Sequence, residues 1–110
     1  MTNKTTTGDW QQMRTDESRE VENALRGAFS QVDAYRYNSA SLRLRIIDEK
    51  FRNIDWDDRE KLVEEHLAKI DAATREDIMN LVLIYPGEET ASFRANILNT
   101  EFEHPPQSML

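Results

Sequence analysis

The sequence predicts an α+β domain, a small three-stranded mixed sheet with helices packed on one face, in the order α-β-β-α-β-α. Residues 41–47, SLRLRII, alternate apolar and polar side chains with the period of two that is typical of a strand. Residues 78–85, IMNLVLIY, form an apolar run of strand length between a turn and a Pro-Gly pair. Segments with apolar residues at helical spacing separate these runs, so helices should cover a small sheet.

The N-terminal segment is polar and rich in threonine. We expect residues 1–14 to form a flexible tail, although Asp9 and Gln12 have the spacing of a capping box that would start a helix early. The first helix is predicted from Asp16 to Phe29, where apolar residues recur every three or four positions. Acidic residues in its first turns complement the helix dipole.

A β-hairpin is predicted after this helix. The strand segments are Val32–Tyr37 and Ser41–Ile47, and Asn38-Ser39-Ala40 between them is short and rich in turn-forming residues. Because side chains alternate along a strand, Arg43 and Arg45 should project from the face opposite to the leucines.

The second half of the chain predicts a helix, a strand and a last helix. The second helix should begin at Asp55 or Asp57 and end near Ile70, and a capped turn should follow at residues 74–77. The strand at residues 78–85 is apolar on both faces and therefore needs cover on both. A last helix is predicted over about residues 88–99, followed by an extended end at 102–110.

Length and composition limit the classes of protein to which this chain can belong. The chain has 110 residues, which suits one domain, and we divide it into a tail at 1–14, a domain at 15–90, and a C-terminal helix and tail at 91–110. It has no cysteine and a net charge of −7, which excludes cysteine-ligated metal from this chain and disfavours nucleic acid. The absence of a signal-like or membrane-spanning apolar run predicts the cytoplasm and no membrane.

The chain resembles a known family in two segments, residues 51–67 and the break at Pro86-Gly87-Glu88-Glu89. Phe51, Arg59, Val63 and Leu67 stand at the spacing of the BolA family pattern, with Glu60 and Lys61 in place of its His and second Arg. The similarity covers about residues 18–90. The resemblance implies a fold like the type II KH domain.

The resemblance also implies a partner. BolA proteins bind monothiol glutaredoxins, and together they hold a [2Fe–2S] cluster through a BolA His before the last strand and often a His or Cys in the first loop. Met79 or Asn80 stands at the first of these places here, and residues 38–41 form the loop, so neither place offers an iron ligand. His66 and His104 match neither place. We therefore predict no cofactor and no metal site.

Two candidate binding surfaces follow. The first is a partner surface that comprises Arg59 and Lys61 on the long helix and the nearby loop at Asn80. The second is a nucleic-acid face of Arg43, Arg45 and Tyr37, because aromatic and basic residues on strands can stack on bases and bind phosphates. A solvated face with acidic partners is the competing interpretation.

Other clusters have simpler interpretations. Asp55, Asp57 and Asp58 suit a helix start better than a cation site, and Glu88 and Glu89 suit a helix start better than an acid–base pair. The apolar residues Phe93, Ile97, Leu98 and Phe102 are expected to cover the last strand within the chain, with a homodimer or a partner as alternatives. No catalytic constellation is predicted.

The sequence therefore predicts a non-enzymatic protein-interaction or adaptor module. The alternatives are a nucleic-acid-binding regulator and an accessory factor in iron–sulfur trafficking with a monothiol glutaredoxin.

Overall fold

The structure is a computed structural model that describes residues 9–107. These residues form a three-stranded sheet and five helices, which confirms the predicted α+β fold class. The strands are Gln31–Asn38 (β1), Ser41–Ile47 (β2) and Ile78–Ile84 (β3). The helices are Asp16–Arg26 (α1), Trp56–Leu67 (α2), Ala72–Glu76 (α3), Glu88–Ala91 (α4) and Phe93–Glu103 (α5), with short 3-10 turns at Trp10–Met13 and Glu49–Phe51.

The sheet is mixed, as predicted, and β2 lies at its centre. β1 and β2 form the antiparallel hairpin, and the Asn38 side chain closes its turn by accepting hydrogen bonds from the Ala40 N–H and the Ser41 hydroxyl. β3 pairs with β2 in parallel, so α2 and α3 form the crossover between them. The register shifts near the start of β3, between the pairs that contain Ile78 and Asn80.

The two faces of the sheet have different covers. The front face carries Leu42, Leu44 and Ile46 of β2, and it packs against apolar residues of α1 and α2. The back face carries Arg43, Arg45 and Ile47, together with Tyr35 of β1. α1 and α2 thus supply the helical layer that the sequence predicts on one face.

The N-terminal segment corrects one expectation. Trp10 is buried, and its ring centroid lies 5.8 Å from that of Tyr35 and 5.2 Å from that of Phe102. Residues 9–14 are therefore part of the fold, because the indole adds to the apolar cover of the back face. Residues 1–8 of the predicted tail lie outside the described residues.

The C-terminal end corrects a second expectation. Ser92 interrupts the last helix with an extended backbone, and its side chain accepts a hydrogen bond from the Ala95 N–H to start α5. α5 then continues to Glu103, where an extended chain was expected from residue 102. Phe102 is 2% exposed and packs in the back-face cluster with Val82 and Ile84. The last helix therefore covers the strand within the chain, on the face opposite to α1 and α2.

Asp48 holds the connection between β2 and α2 against the start of β1. Its carboxylate accepts hydrogen bonds from the Ser30 N–H at 2.8 Å, the Ser30 hydroxyl at 3.0 Å and the Lys50 N–H at 2.8 Å. Burial opposes ionisation of Asp48, but the hydrogen bonds from Lys50 and Ser30 outweigh it and hold its pKa below the ordinary value.

This lowered pKa predicts an acid-sensitive contribution to stability. The contribution is present above the unfolded pKa and is lost as pH falls through the folded pKa, below about pH 4. We expect Asp48→Asn to have a lower free energy of unfolding at pH 7 and a flatter decline from pH 5 to pH 3 in urea denaturation. Glu65→Gln removes the same charge from the exposed side of α2 and is the control. A decline as steep in Asp48→Asn as in the wild type would contradict the prediction.

Candidate functional site

Arg59, which the sequence places on a partner surface, is buried. It is 4% exposed, and its Nη1 donates to Glu88 Oε1 at 2.7 Å and to the Leu83 carbonyl at 2.8 Å. Its Nε donates to the Ile54 carbonyl at 2.8 Å. Glu88 Oε1 also accepts from the Tyr85 N–H at 3.2 Å. Arg59 therefore joins α2 to β3 and α4, and its guanidinium is turned away from any partner.

The other two residues of that surface are exposed, but they lie on different elements. Lys61 projects from α2 into solvent, 3.8 Å from Asp58. Asn80 lies in β3 on the back face, in register with Arg43. The structure therefore leaves Asn80 and Lys61 accessible and removes Arg59 from the surface.

Arg45, from the predicted nucleic-acid face, is also buried. It is 4% exposed, and its Nη2 donates to Asp33 Oδ2 at 2.9 Å. Its Nη1 donates to Asn99 Oδ1 at 2.9 Å and to Glu103 Oε2 at 2.7 Å. These partners come from β1 and α5, so they use the donors of Arg45 inside the chain. The acidic partners agree with the competing interpretation, but Arg45 is buried rather than solvated.

Arg43 and Tyr37 lie beside α5. The guanidinium carbon of Arg43 is 3.9 Å from the centroid of the Tyr37 ring, and its Nη1 donates to the Glu101 carbonyl at 3.0 Å. The Tyr35 hydroxyl lies 3.2 Å from the same nitrogen and donates to the Phe102 carbonyl at 2.7 Å. Burial raises the pKa of Tyr35, so the hydroxyl remains a donor. α5 therefore covers much of the face on which the nucleic-acid hypothesis depends.

One atom of Arg43 is left without a partner. Within residues 9–107, Arg43 Nε is the only buried side-chain nitrogen or oxygen that makes no hydrogen bond. Such a donor is costly to leave unpaired, because it has given up its hydrogen bonds to water without gaining a partner in the chain.

β3 is covered over only half of its length. Val82, Leu83 and Ile84 are buried, as expected for a parallel strand with helices on both faces. Met79 is 65% exposed, Asn80 is exposed, and Ile78 and Leu81 are half-buried. The segment Ile78–Leu81, which we call the open half of β3, is therefore an uncovered piece of an otherwise buried strand.

The open half lies at the edge of the sheet. The Ile84 carbonyl accepts from the Asp48 N–H on the β2 side, whereas the Leu83 carbonyl accepts from Arg59 on the outer side. Because backbone groups alternate along a strand, the N–H and C=O of Leu81 also point outward. β3 contains neither a charged residue nor a proline, which are two of the features that protect edge strands.

A hollow lies beside the open half on each face of the sheet. The front hollow has a volume of about 470 Å³, and the back hollow has a volume of about 240 Å³. The front hollow is lined by Glu64, Leu67, Ala68, Arg75, Ile78 and Leu81. The back hollow includes Arg43, Met79, Asn80, Leu81, Leu98 and Glu101 in its lining. An edge strand with a hollow on either side can bind polypeptide through its backbone and its side chains.

The remaining candidate residues form no further site in the described part of the chain. His66 packs edge-on against Phe29, with ring centroids 5.3 Å apart, and His104 is exposed. Asp57 and Asp58 lie in the first turn of α2, next to Asp55 at its N-cap. In the part of the chain that the structure describes, no three His, Asp or Glu side chains are grouped to hold a metal ion. Over the same residues, no helix has the length and apolar character needed to cross a bilayer.

No protein-family model matches the chain, and no curated protein matches it.

Proposed function

We propose that the protein is a non-enzymatic interaction or adaptor module of BolA-like fold, and that the open half of β3 is its partner surface. The exposure of Met79 and Asn80 on an edge strand whose other half is buried supports this function. Apolar side chains and outward backbone groups at an edge are suited to polypeptide rather than to small charged ligands.

The proposed surface agrees with the resemblance in one respect. Met79 or Asn80 stands where the BolA pattern has a His that meets a glutaredoxin-bound cluster. In this chain the position carries no iron ligand, but it remains exposed. A monothiol glutaredoxin therefore stays a predicted partner, with every cluster thiolate coming from its side. The cytoplasm stays the predicted place of action.

Partner capture from the source cells tests this function. We expect the full chain, used as bait at native abundance, to retain a defined protein partner, and Met79→Asp to lose it at least tenfold by quantitative mass spectrometry. Phe93→Asp is the matched control, because Phe93 is 82% exposed on α5 and the change also adds one negative charge. Both baits should have wild-type circular dichroism.

The outcomes separate the alternatives. If the wild type and Met79→Asp retain the partner equally, the proposed surface is overturned. If only Phe93→Asp loses the partner, the partner surface lies on α5. Nucleic acid in the eluate, detected by absorbance at 260 nm and removed by nuclease, would favour the nucleic-acid regulator instead. A glutaredoxin in the eluate would identify the predicted partner class.

A further inference from the structure

We infer that the open half of β3 binds an extended peptide segment of the partner as an added strand. One apolar side chain of the peptide lies in the front hollow, and the next side chain, a hydrogen-bond acceptor, lies in the back hollow. The inference rests on the proposed function and specifies the chemistry of the partner.

The backbone of β3 gives the first argument. Leu81 presents an N–H and a C=O to the outer edge, whereas the next outward carbonyl, that of Leu83, is already bound by Arg59 at 2.8 Å. The open edge is therefore short, and it ends at Leu83, whose carbonyl is occupied by the Arg59 side chain. A single extended segment pairs with such an edge through main-chain hydrogen bonds.

The positions of the two hollows give the second argument. The back hollow is lined by Leu98 of α5 and the front hollow by Leu67 of α2, so the two lie on opposite faces of the sheet. Leu81 lines both, so they lie beside the same stretch of edge. Successive side chains of an added strand point to opposite faces. Two neighbouring residues of the peptide therefore meet one hollow each without any bend in its backbone.

The linings of the hollows give the chemistry of these two residues. Leu67, Ala68 and Ile78 make much of the front hollow apolar, which suits a large aliphatic or aromatic side chain. The back hollow is smaller and contains Arg43, whose Nε is buried and unpaired, and the Asn80 amide. An Asp, Glu or Asn side chain there would bring an acceptor to the guanidinium of Arg43, which lines the hollow.

A second copy of this chain fits the edge less well than a peptide. α2 and α3 border the open half on the front face, and α5 borders it on the back face. A folded second copy would bring the same helices against these, whereas a single extended segment needs only the space between them. Each copy also carries a net charge of −7, which opposes self-association.

Selection from a display library of random linear 12-residue peptides tests the inference on the full chain. We expect the selected peptides to share a pair of neighbouring residues, one large and apolar and one acceptor. A selected peptide is then N-methylated at one residue at a time. Methylation should weaken binding about tenfold or more at alternate residues only, because only every second N–H faces β3. The Leu81 amide should become protected from hydrogen exchange in the complex.

Arg43→Lys tests the back hollow, because it keeps the positive charge and removes the Nε–H. We expect it to weaken binding of a peptide with Asp at the acceptor position severalfold, and to leave unchanged the binding of the same peptide with Ala there. Equal effects on the two peptides would overturn the assignment of the acceptor to Arg43.

The outcomes also separate this inference from the proposed function. Peptide binding that is insensitive to N-methylation, or a partner lost with Met79→Asp although no linear peptide binds, would overturn strand addition and leave the interaction function standing. A dimer in sedimentation that Met79→Asp dissociates would assign the edge to a second copy and also overturn the inference. If neither a linear peptide nor a protein partner binds, both this inference and the proposed function are overturned.

Discussion

Arg59→Ala is expected to lower the free energy of unfolding by about 3–5 kcal/mol, a large part of the roughly 5–15 kcal/mol that stabilises a typical domain. The substitution removes the partner of Glu88, whose carboxylate would remain buried with only the Tyr85 N–H as a donor. It also leaves the Leu83 and Ile54 carbonyls without their guanidinium donor. Urea denaturation at pH 7 measures the loss.

Lys61→Ala is the control on the same helix. Lys61 is exposed and 3.8 Å from Asp58, so its removal should change the free energy of unfolding by less than about 0.5 kcal/mol. Arg59→Met combined with Glu88→Leu should recover part of the loss, because no charge is then left unpaired in the interior. Wild-type stability in Arg59→Ala, accompanied by loss of partner capture, would instead return Arg59 to the binding surface.

Hydrophobic periodicity predicted the fold because it reports which face of an element is covered. The alternation in residues 41–47 placed Leu42, Leu44 and Ile46 on one face, and the structure packs all three against α1 and α2. The same period assigned Arg43 and Arg45 to the other face. It could not show that this face is covered, because the cover is α5, more than fifty residues along the chain.

Arg45 and Arg59 were predicted to lie on binding surfaces, and both predictions are wrong for the same physical reason. Arg45 and Arg59 are charged residues on strand and helix surfaces, and such residues are seldom buried unless they are paired. Their acidic partners, Asp33, Glu103 and Glu88, come from other elements. A local pattern contains no signal for such pairs, so Arg45 and Arg59 were assigned to binding surfaces although both are buried and paired within the chain.

The candidate site was visible in the sequence only in part. The apolar run at residues 78–85 predicted a strand that needs cover on both faces, and the structure supplies that cover for Val82, Leu83 and Ile84. The incomplete cover of the open half depends on where α3 ends and where α5 crosses the sheet. The order of apolar and polar residues in β3 predicts neither of these positions.

Phe102→Ala is expected to lower the free energy of unfolding by about 3–5 kcal/mol, by removing the ring that anchors α5 to the back face. The Phe102 centroid lies 4.9 Å from that of Tyr35 and 5.2 Å from that of Trp10, and the Arg45 guanidinium is 4.7 Å away. Truncation leaves a cavity among these groups and weakens the cover of Arg45. Urea denaturation followed by tryptophan fluorescence measures the effect, because Trp10 is one of the contacts.

Phe93→Ala is the control for Phe102→Ala because it makes the same chemical change on the same helix. Phe93 is 82% exposed, so its truncation should change the free energy of unfolding by less than about 0.5 kcal/mol. A large difference between the two variants requires α5 to lie on the sheet through Phe102, as the intrachain cover of β3. Equal small effects would mean that α5 does not hold this position in solution, and the back face with Arg43, Arg45 and Tyr37 would then be open to a ligand.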